Sequence, residues 1–118
     1  MSNPPIDVEL IRKTALSVRT FEKVAEEKDF VNFLSPAKEL SENAVKLVRL
    51  ATENNLLESA NMIRESVKNS MEAAKTVLKE KSDTSVQIFL DLLKEVAKVI
   101  VKFTREIESK YTSSNVSS

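Results

Sequence analysis

Residues 84–110 decide the fold, and they read TSVQIFLDLLKEVAKVIVKFTREIESK. At about 100° per residue, their apolar side chains fill an arc of roughly 220° that starts at Ile88 and ends at Val101. A helix that faces one core needs an apolar stripe only somewhat wider than about 100°. Thr84 with Gln87 forms a T-x-x-Q pattern, which predicts the start of the helix. The stretch therefore predicts a long helix whose apolar arc is wider than one core-facing stripe requires.

Three further amphipathic segments precede this stretch, and each has a recognisable start. Pro4 or Pro5 suits the first turn of helix one, where a missing N–H costs nothing. Ser35-Pro36 predicts the start of helix two, with Ser as the N-cap and Pro at the first helical position. Asn55 with Glu58 resembles a capping box and predicts the start of helix three. The expected breaks between the helices are residues 26–35, 52–55 and 79–84.

Short links between helices make sequential neighbours antiparallel. The predicted fold class is therefore all-α, an antiparallel up-and-down four-helix bundle. We expect the bundle to cover residues 1–111, with helix four running to about Lys110. Residues 112–118 form a Ser-rich stretch that we expect to be a disordered tail.

The composition of the 118-residue chain narrows the possible functions. It has no Gly, no Cys and no His, and 18 basic residues balance 18 acidic ones. Phosphate-binding loops need Gly, and common catalytic and metal sites need His or Cys. Nucleic-acid binders are usually basic. We therefore expect no enzyme activity, no cofactor, no metal and no nucleic-acid partner. Neither a long apolar run nor a signal pattern is present, so we expect a cytoplasmic protein without stable membrane insertion.

A row of basic residues borders the apolar arc of helix four. Lys94, Lys98, Lys102 and Arg105 lie at i, i+4, i+8 and i+11, within roughly 80° on the helical wheel. One interpretation is a well-buried helix whose lysines snorkel from the bundle edge. The other is a hydrophobic groove with a basic rim that binds an acidic amphipathic helix. Periodicity alone favours the first interpretation.

Four stretches of the sequence, in this order and spacing, resemble a known family. They are Leu10-Ile11-Arg12-Lys13-Thr14, Phe33-Leu34-Ser35-Pro36, Val67–Leu78 and Phe103-Thr104-Arg105-Glu106. The pattern resembles the C-terminal domain of the GIT scaffold proteins and of the related fungal polarisome scaffold. Both resemble the focal-adhesion-targeting bundle, one of the vinculin-like four-helix folds.

The resemblance implies an adaptor, and it makes the groove the favoured interpretation. Relatives of this kind bind Leu-Asp-rich amphipathic helices of paxillin-type partners, at a site between the first and last helices. Carried over to this chain, the resemblance implies a site whose basic and apolar residues are Leu10, Lys13, Leu92, Lys94, Lys98, Val99, Lys102, Phe103 and Arg105.

Several alternatives stay open from the sequence. The absence of Cys and Gly and the abundance of Lys, Asn and Ser favour the fungal branch over the GIT branch. That branch implies a polarity scaffold, recruited to the cell cortex at sites of polarised growth and actin assembly. The groove would then accept another helix or serve self-association. The surface between helices two and three is an alternative site. A structural talin- or vinculin-type rod and a lipid-binding bundle are alternative functions.

Overall fold

The computed structural model describes the backbone of residues 8–117 and the side chains of residues 8–110. Four α-helices cover most of this range: α1 is Val8–Glu26, α2 is Leu34–Glu53, α3 is Leu57–Glu80 and α4 is Asp83–Ser117. A single 3-10 turn, Phe30–Asn32, lies between α1 and α2. No strand occurs in residues 8–117. The predicted all-α four-helix bundle is therefore confirmed.

The four helices form a closed ring in which each packs on its sequence neighbours and α1 packs on α4. Contacts between the ends of helices show their directions. Lys28, just after α1, forms an ion pair with Asp83 at the start of α4. Ser59 near the start of α3 donates a hydrogen bond of 3.1 Å to Glu106 near the end of α4. The start of one helix thus lies beside the end of its neighbour, so the bundle is antiparallel.

Phenylalanines fill the core at one end of the bundle. Phe21 of α1 and Phe89 of α4 lie 4.6 Å apart between ring centroids, and Phe33 lies 5.2 Å from Phe21. All three are fully buried, whereas Leu34 beside them is 79% exposed. The connection between α1 and α2 therefore closes this end of the core with Phe33. Aromatic pairs in edge-to-face arrangements stabilise such a core beyond the area they bury.

The helix starts differ from those expected at Ser35 and Asn55. α2 begins one residue before Ser35, and Phe33 is its N-cap, already in helical conformation at φ −69° and ψ −33°. The reason is that the 3-10 turn carries Phe33 into the core and leads directly into α2. Asn55 adopts φ 63°, and α3 begins at Leu57. Asn tolerates the left-handed region, so it serves the turn rather than the cap.

The start of α4 has a capping box, but not the expected one. Ser82 and Ser85 exchange hydrogen bonds, each backbone N–H donating to the other's hydroxyl, at 3.2 and 3.1 Å. Gln87 instead donates to Asp91, one turn further along. Thr84 with Gln87 was therefore the wrong pair. Ser82 occupies the N-cap because α4 begins one residue after it.

Predictions for the two ends of the chain fall partly outside the described residues, since residues 1–7 are not described and residues 111–117 are described by their backbone alone. The expected helix start at Pro4 or Pro5 lies outside the described residues. α4 continues to Ser117, past Lys110 where we expected it to end. No Gly or Pro interrupts the sequence after Lys110, and these are the residues that most readily stop a helix. The predicted boundary between bundle and tail at residue 111 involves side chains outside the described residues and stays a prediction.

Candidate partner-binding surface

The two edges of the apolar arc of α4 are exposed to solvent. Ile88 is 53% exposed and Val101 is 49% exposed, whereas Leu93 and Phe103 near the centre of the arc are fully buried. The bundle therefore does not cover the whole arc, as the groove interpretation requires. Ile88 lies beside α3, in a small cleft with Ala73 and Thr76. Val101 lies on the other side, towards α1.

A groove of about 800 Å³ runs over the exposed side of α4. We call it the α4 groove. Val101 and Ala97 supply apolar surface from α4, and Leu56 adds apolar surface from the turn before α3. Its remaining lining residues are Lys98, Lys102, Arg105, Glu106, Ser109 and Lys110.

Charge in the α4 groove is strongly positive, because four cations and one carboxylate line it. The carboxylate, Glu106, already accepts a hydrogen bond from Ser59. Lys102 places its ammonium 3.8 Å from the sulfur of Met62 on α3. Lys98 and Arg105 form no ion pair with any described residue. The groove therefore presents cations that the described bundle does not neutralise, which favours an anionic ligand.

A narrower cleft of about 200 Å³ continues the surface between α4 and α1. It shares Ala97 and Val101 with the α4 groove and adds Ala15, Arg19 and Glu22 from α1. Partial burial, and to a lesser degree the charge of Glu26, raise the pKa of Glu22, while Lys94 and Arg19 oppose the rise. The charge of Lys94 on α4 therefore reaches Glu22 on α1. The small side chains of Ala15 on α1 and Ala97 on α4 leave room for the cleft.

The structure brings part of the predicted site together. Lys98, Lys102 and Arg105 all line the α4 groove, and the exposed Lys94 continues the same row towards α1. Over eleven residues this row spans about 16 Å at 1.5 Å per residue. Lys13 lies elsewhere, in a polar cleft between α1 and α2.

The predicted apolar floor has a different place. Phe103 is fully buried and Val99 is 5% exposed, so both belong to the core. Leu92 is half-buried, one turn from Ile88 on the side of α4 that packs on α3. Leu10 is also half-buried and packs against the core from α1. None of these four lines the α4 groove.

Sequence reasoning missed the residues that supply the apolar surface of the groove. Val101 and Ala97 lie at the edge of the arc of α4, and Leu56 precedes α3. The width of the arc could have identified Val101 and Ala97. The core covers the centre of such an arc, and its edges stay accessible to a ligand. Leu56 had no comparable signal, since its position depends on how the turn between α2 and α3 folds.

A second groove, of about 430 Å³, lies between α2 and α3. Val45, which is 61% exposed, Val48 and Met71 give it an apolar surface. Arg64 and Lys68 give it two cations. This surface is where the sequence placed the alternative site. It is smaller and has fewer cations than the α4 groove.

Comparisons with known proteins leave the family open. No protein-family model, no curated protein and no solved structure matches the chain. Within residues 8–110, no three acidic side chains cluster closely enough to hold a metal ion. None of the described helices combines the length and the apolar character that crossing a membrane requires. The geometry of the α4 groove is therefore the basis for a functional proposal.

Proposed function

We propose that this chain is a non-enzymatic adaptor domain that binds a partner protein through the α4 groove. The partner segment is an acidic amphipathic helix rich in leucine. The observation that carries the proposal is the row of cations at Lys98, Lys102 and Arg105 beside the exposed Val101, in one continuous groove. Amphipathic helices bind such grooves by placing apolar residues at i, i+3, i+4 and i+7 on the floor.

The dimensions of the groove support a helix rather than a small molecule. The row from Lys94 to Arg105 spans three helical turns, about 16 Å. A partner helix that lies along α4 can place a carboxylate near each cation at intervals of one turn. Its leucines would then contact Val101, Ala97 and Leu56, which lie along the same groove.

The wider biological role is part of the same proposal. A focal-adhesion-targeting-like bundle in a GIT-type or polarisome-type scaffold would use this docking to assemble cytoskeletal or cell-polarity factors. A purely structural rod bundle needs no row of cations that lack an ion pair among the described residues, beside an exposed valine. A lipid-binding bundle would use the same cations, so the experiment must separate protein and lipid ligands.

The test uses a synthetic helical peptide of about 20 residues, with leucines on one face and Asp and Glu on its flanks. The peptide is titrated into the 118-residue chain while backbone amide shifts are recorded. We expect saturable shifts that centre on residues 97–109 of α4. Reversing Lys98 and Lys102 to Glu should weaken binding by about tenfold or more at low salt, and raised salt should shrink the difference.

Matched controls define the outcomes. Lys46 and Arg49 are exposed on α2, and reversing both to Glu changes the net charge equally without touching the α4 groove. A peptide with its leucines scrambled should not bind. If reversing Arg64 and Lys68 to Glu abolishes binding while reversing Lys98 and Lys102 leaves the affinity unchanged, the groove between α2 and α3 is the site. Binding to anionic vesicles but not to the peptide would favour the lipid alternative.

A further inference from the structure

Ser35 begins the tetrapeptide Ser35-Pro36-Ala37-Lys38, which the proposed partner surface does not use. Of the three prolines in the chain, only Pro36 follows a hydroxyl residue, since Pro4 follows Asn and Pro5 follows Pro. A serine followed by proline, with lysine two residues after the proline, is the pattern that proline-directed protein kinases recognise. In the active site of such a kinase, nothing accepts a hydrogen bond from the backbone N–H of the residue that follows the serine. Proline suits this position because it has no backbone N–H.

The structure removes the simplest structural explanation for this motif. Ser-Pro is also a common helix start, in which the serine side chain caps the helix. Here Phe33 is the N-cap, and Ser35 lies inside the first turn of α2. The Ser35 side chain is exposed, and its hydroxyl forms no hydrogen bond with any described residue. The hydroxyl is therefore chemically available.

The first turn of α2 has local features that favour opening to the extended form that kinases bind. Proline disfavours helical conformation in the residue before it, which is Ser35. Pro36 has no N–H to donate, and the backbone bond that enters this turn is Ala37 N–H to Phe33 O at 3.2 Å. Val31 and Leu34 on the N-terminal side are 90% and 79% exposed. Opening residues 34–37 moves the exposed Leu34 and Ser35 at no cost in burial, and it draws the buried Pro36 and the half-buried Ala37 away from the core.

We propose that Ser35 is a phosphorylation site for a proline-directed serine/threonine kinase. The Ser35 oxygen attacks the γ-phosphorus of ATP, and a new oxygen–phosphorus bond forms. The bond from the γ-phosphorus to the bridging oxygen of the β-phosphate breaks, and ADP leaves. The serine proton passes to the catalytic carboxylate of the kinase. The product carries a phosphate in the first turn of α2.

The folded bundle accommodates this phosphate. A negative group near a helix N-terminus is stabilised by the helix dipole, and Lys38 lies one turn further along the same helix. Ser35 is at the aromatic end of the bundle, beside Phe33. The α4 groove reaches the opposite end, where Lys110 donates a hydrogen bond to the Asn54 carbonyl. Phosphorylation of Ser35 is therefore independent of partner docking at α4.

The test incubates the folded 118-residue chain with ATP and a purified proline-directed kinase that prefers lysine two residues after the proline. We expect the mass of one added phosphoryl group, located on Ser35 by fragmentation. Ser35→Ala should abolish the addition, and Lys38→Ala should slow it several-fold. Thr20→Ala, at an exposed hydroxyl residue outside the α4 groove, should leave the rate unchanged. The phosphorylated chain should keep its helical far-UV spectrum.

Three results would overturn the proposal. The first is no incorporation into the folded chain while a synthetic peptide of residues 30–42 is phosphorylated, which would show that the fold protects Ser35. The second is a phosphoryl group on another residue. The third is unfolding of the bundle on phosphorylation. Peptide titration of the phosphorylated chain is a separate measurement, and unchanged affinity there is the result expected if the two surfaces are independent.

Discussion

The Asn43 side chain on α2 donates a hydrogen bond of 3.2 Å to the hydroxyl of Ser17 on α1. Ser17 in turn donates to the Lys13 carbonyl at 2.9 Å, and both side chains are buried. Within the described residues this is the buried side-chain bond that joins α1 to α2. This bond fixes the position of α1 along the axis of α2. A shift of one helical turn would leave a buried amide without its hydrogen-bond partner.

Ser17→Ala should lower the free energy of unfolding by about 1–3 kcal/mol, because it leaves the Asn43 amide buried and unsatisfied. The double variant Ser17→Ala/Asn43→Leu should recover much of this loss, since neither polar group then remains. Urea unfolding of these two variants and of the single variant Asn43→Leu gives the coupling between the two sites. Equal losses for the single and double variants would mean that the hydrogen bond contributes little.

Leu93 and Ile100 lie on the buried face of α4, at 0% and 4% exposure. Leu93→Ala and Ile100→Ala should each lower the free energy of unfolding by about 2–5 kcal/mol, as large-to-small changes in a core do. Ile88→Ala is the matched control, because Ile88 is on the same helix and 53% exposed. Thermal unfolding measures all three, and a core variant that behaves like the control would contradict this assignment of the core face.

Lys81, just after α3, adopts a left-handed backbone with φ 51° and ψ 33°. A side chain with a Cβ in this region costs about 1–2 kcal/mol relative to the right-handed region, and Gly avoids that cost. Lys81→Gly should therefore stabilise the bundle by about 1 kcal/mol, even though Gly adds entropy to the unfolded chain. Lys75→Gly, at an exposed site inside α3, should destabilise by about the same amount. Destabilisation by Lys81→Gly would show that the Lys81 side chain stabilises the fold by more than its left-handed backbone costs.

A hydrogen bond from Lys28, reinforced by its charge, lowers the pKa of Asp83 below its usual range. A carboxyl with a lowered pKa stabilises the folded state above its unfolded pKa, about 4, and this contribution is lost as the pH falls through the folded value. Asp83→Asn should therefore lower stability at neutral pH but make little difference near pH 2. The urea midpoints of the two chains at both pH values test this. The effect is small because both partners are exposed.

The helices were predictable because apolar spacing is a local property of the sequence. The starts of α2 and α3 were not, because burial of Phe33 and the left-handed turn at Asn55 depend on how the whole bundle packs. The capping box of α4 moved to Ser82 and Ser85 for a similar reason. Ser-x-x-Ser and Thr-x-x-Gln both suit a helix start, and the position of the turn after α3 selects one of them.

The cations of the site were predictable, but its apolar surface was not. Lys98, Lys102 and Arg105 share a face by helical spacing alone. Which side of α4 faces α1 depends on whether the bundle turns left or right, and a helical wheel has no information about this handedness. Lys13 therefore lies between α1 and α2. Val99 and Phe103 lie in the core because the neighbouring helices cover that part of the arc.

Separate variants can distinguish the floor of the α4 groove from its rim. Val101 offers apolar area, so Val101→Ala should weaken binding of the acidic leucine-rich peptide at every salt concentration by a similar factor. Arg105 offers charge without a described ion pair, so Arg105→Gln should weaken binding at low salt and matter less as salt rises. Both residues are exposed, and their effects on unfolding should stay within about 0.5 kcal/mol.

Titration calorimetry at several salt concentrations measures both effects on the same peptide. Lys46→Gln on α2 is the control for Arg105→Gln, because it removes one exposed charge outside the groove. Val45→Ala is the control for Val101→Ala, because it shortens an exposed valine in the groove between α2 and α3. If Val101→Ala leaves the affinity unchanged while Val45→Ala lowers it, the partner helix lies between α2 and α3. If Arg105→Gln lowers the affinity equally at all salt concentrations, its side chain packs on the partner rather than attracting it by charge.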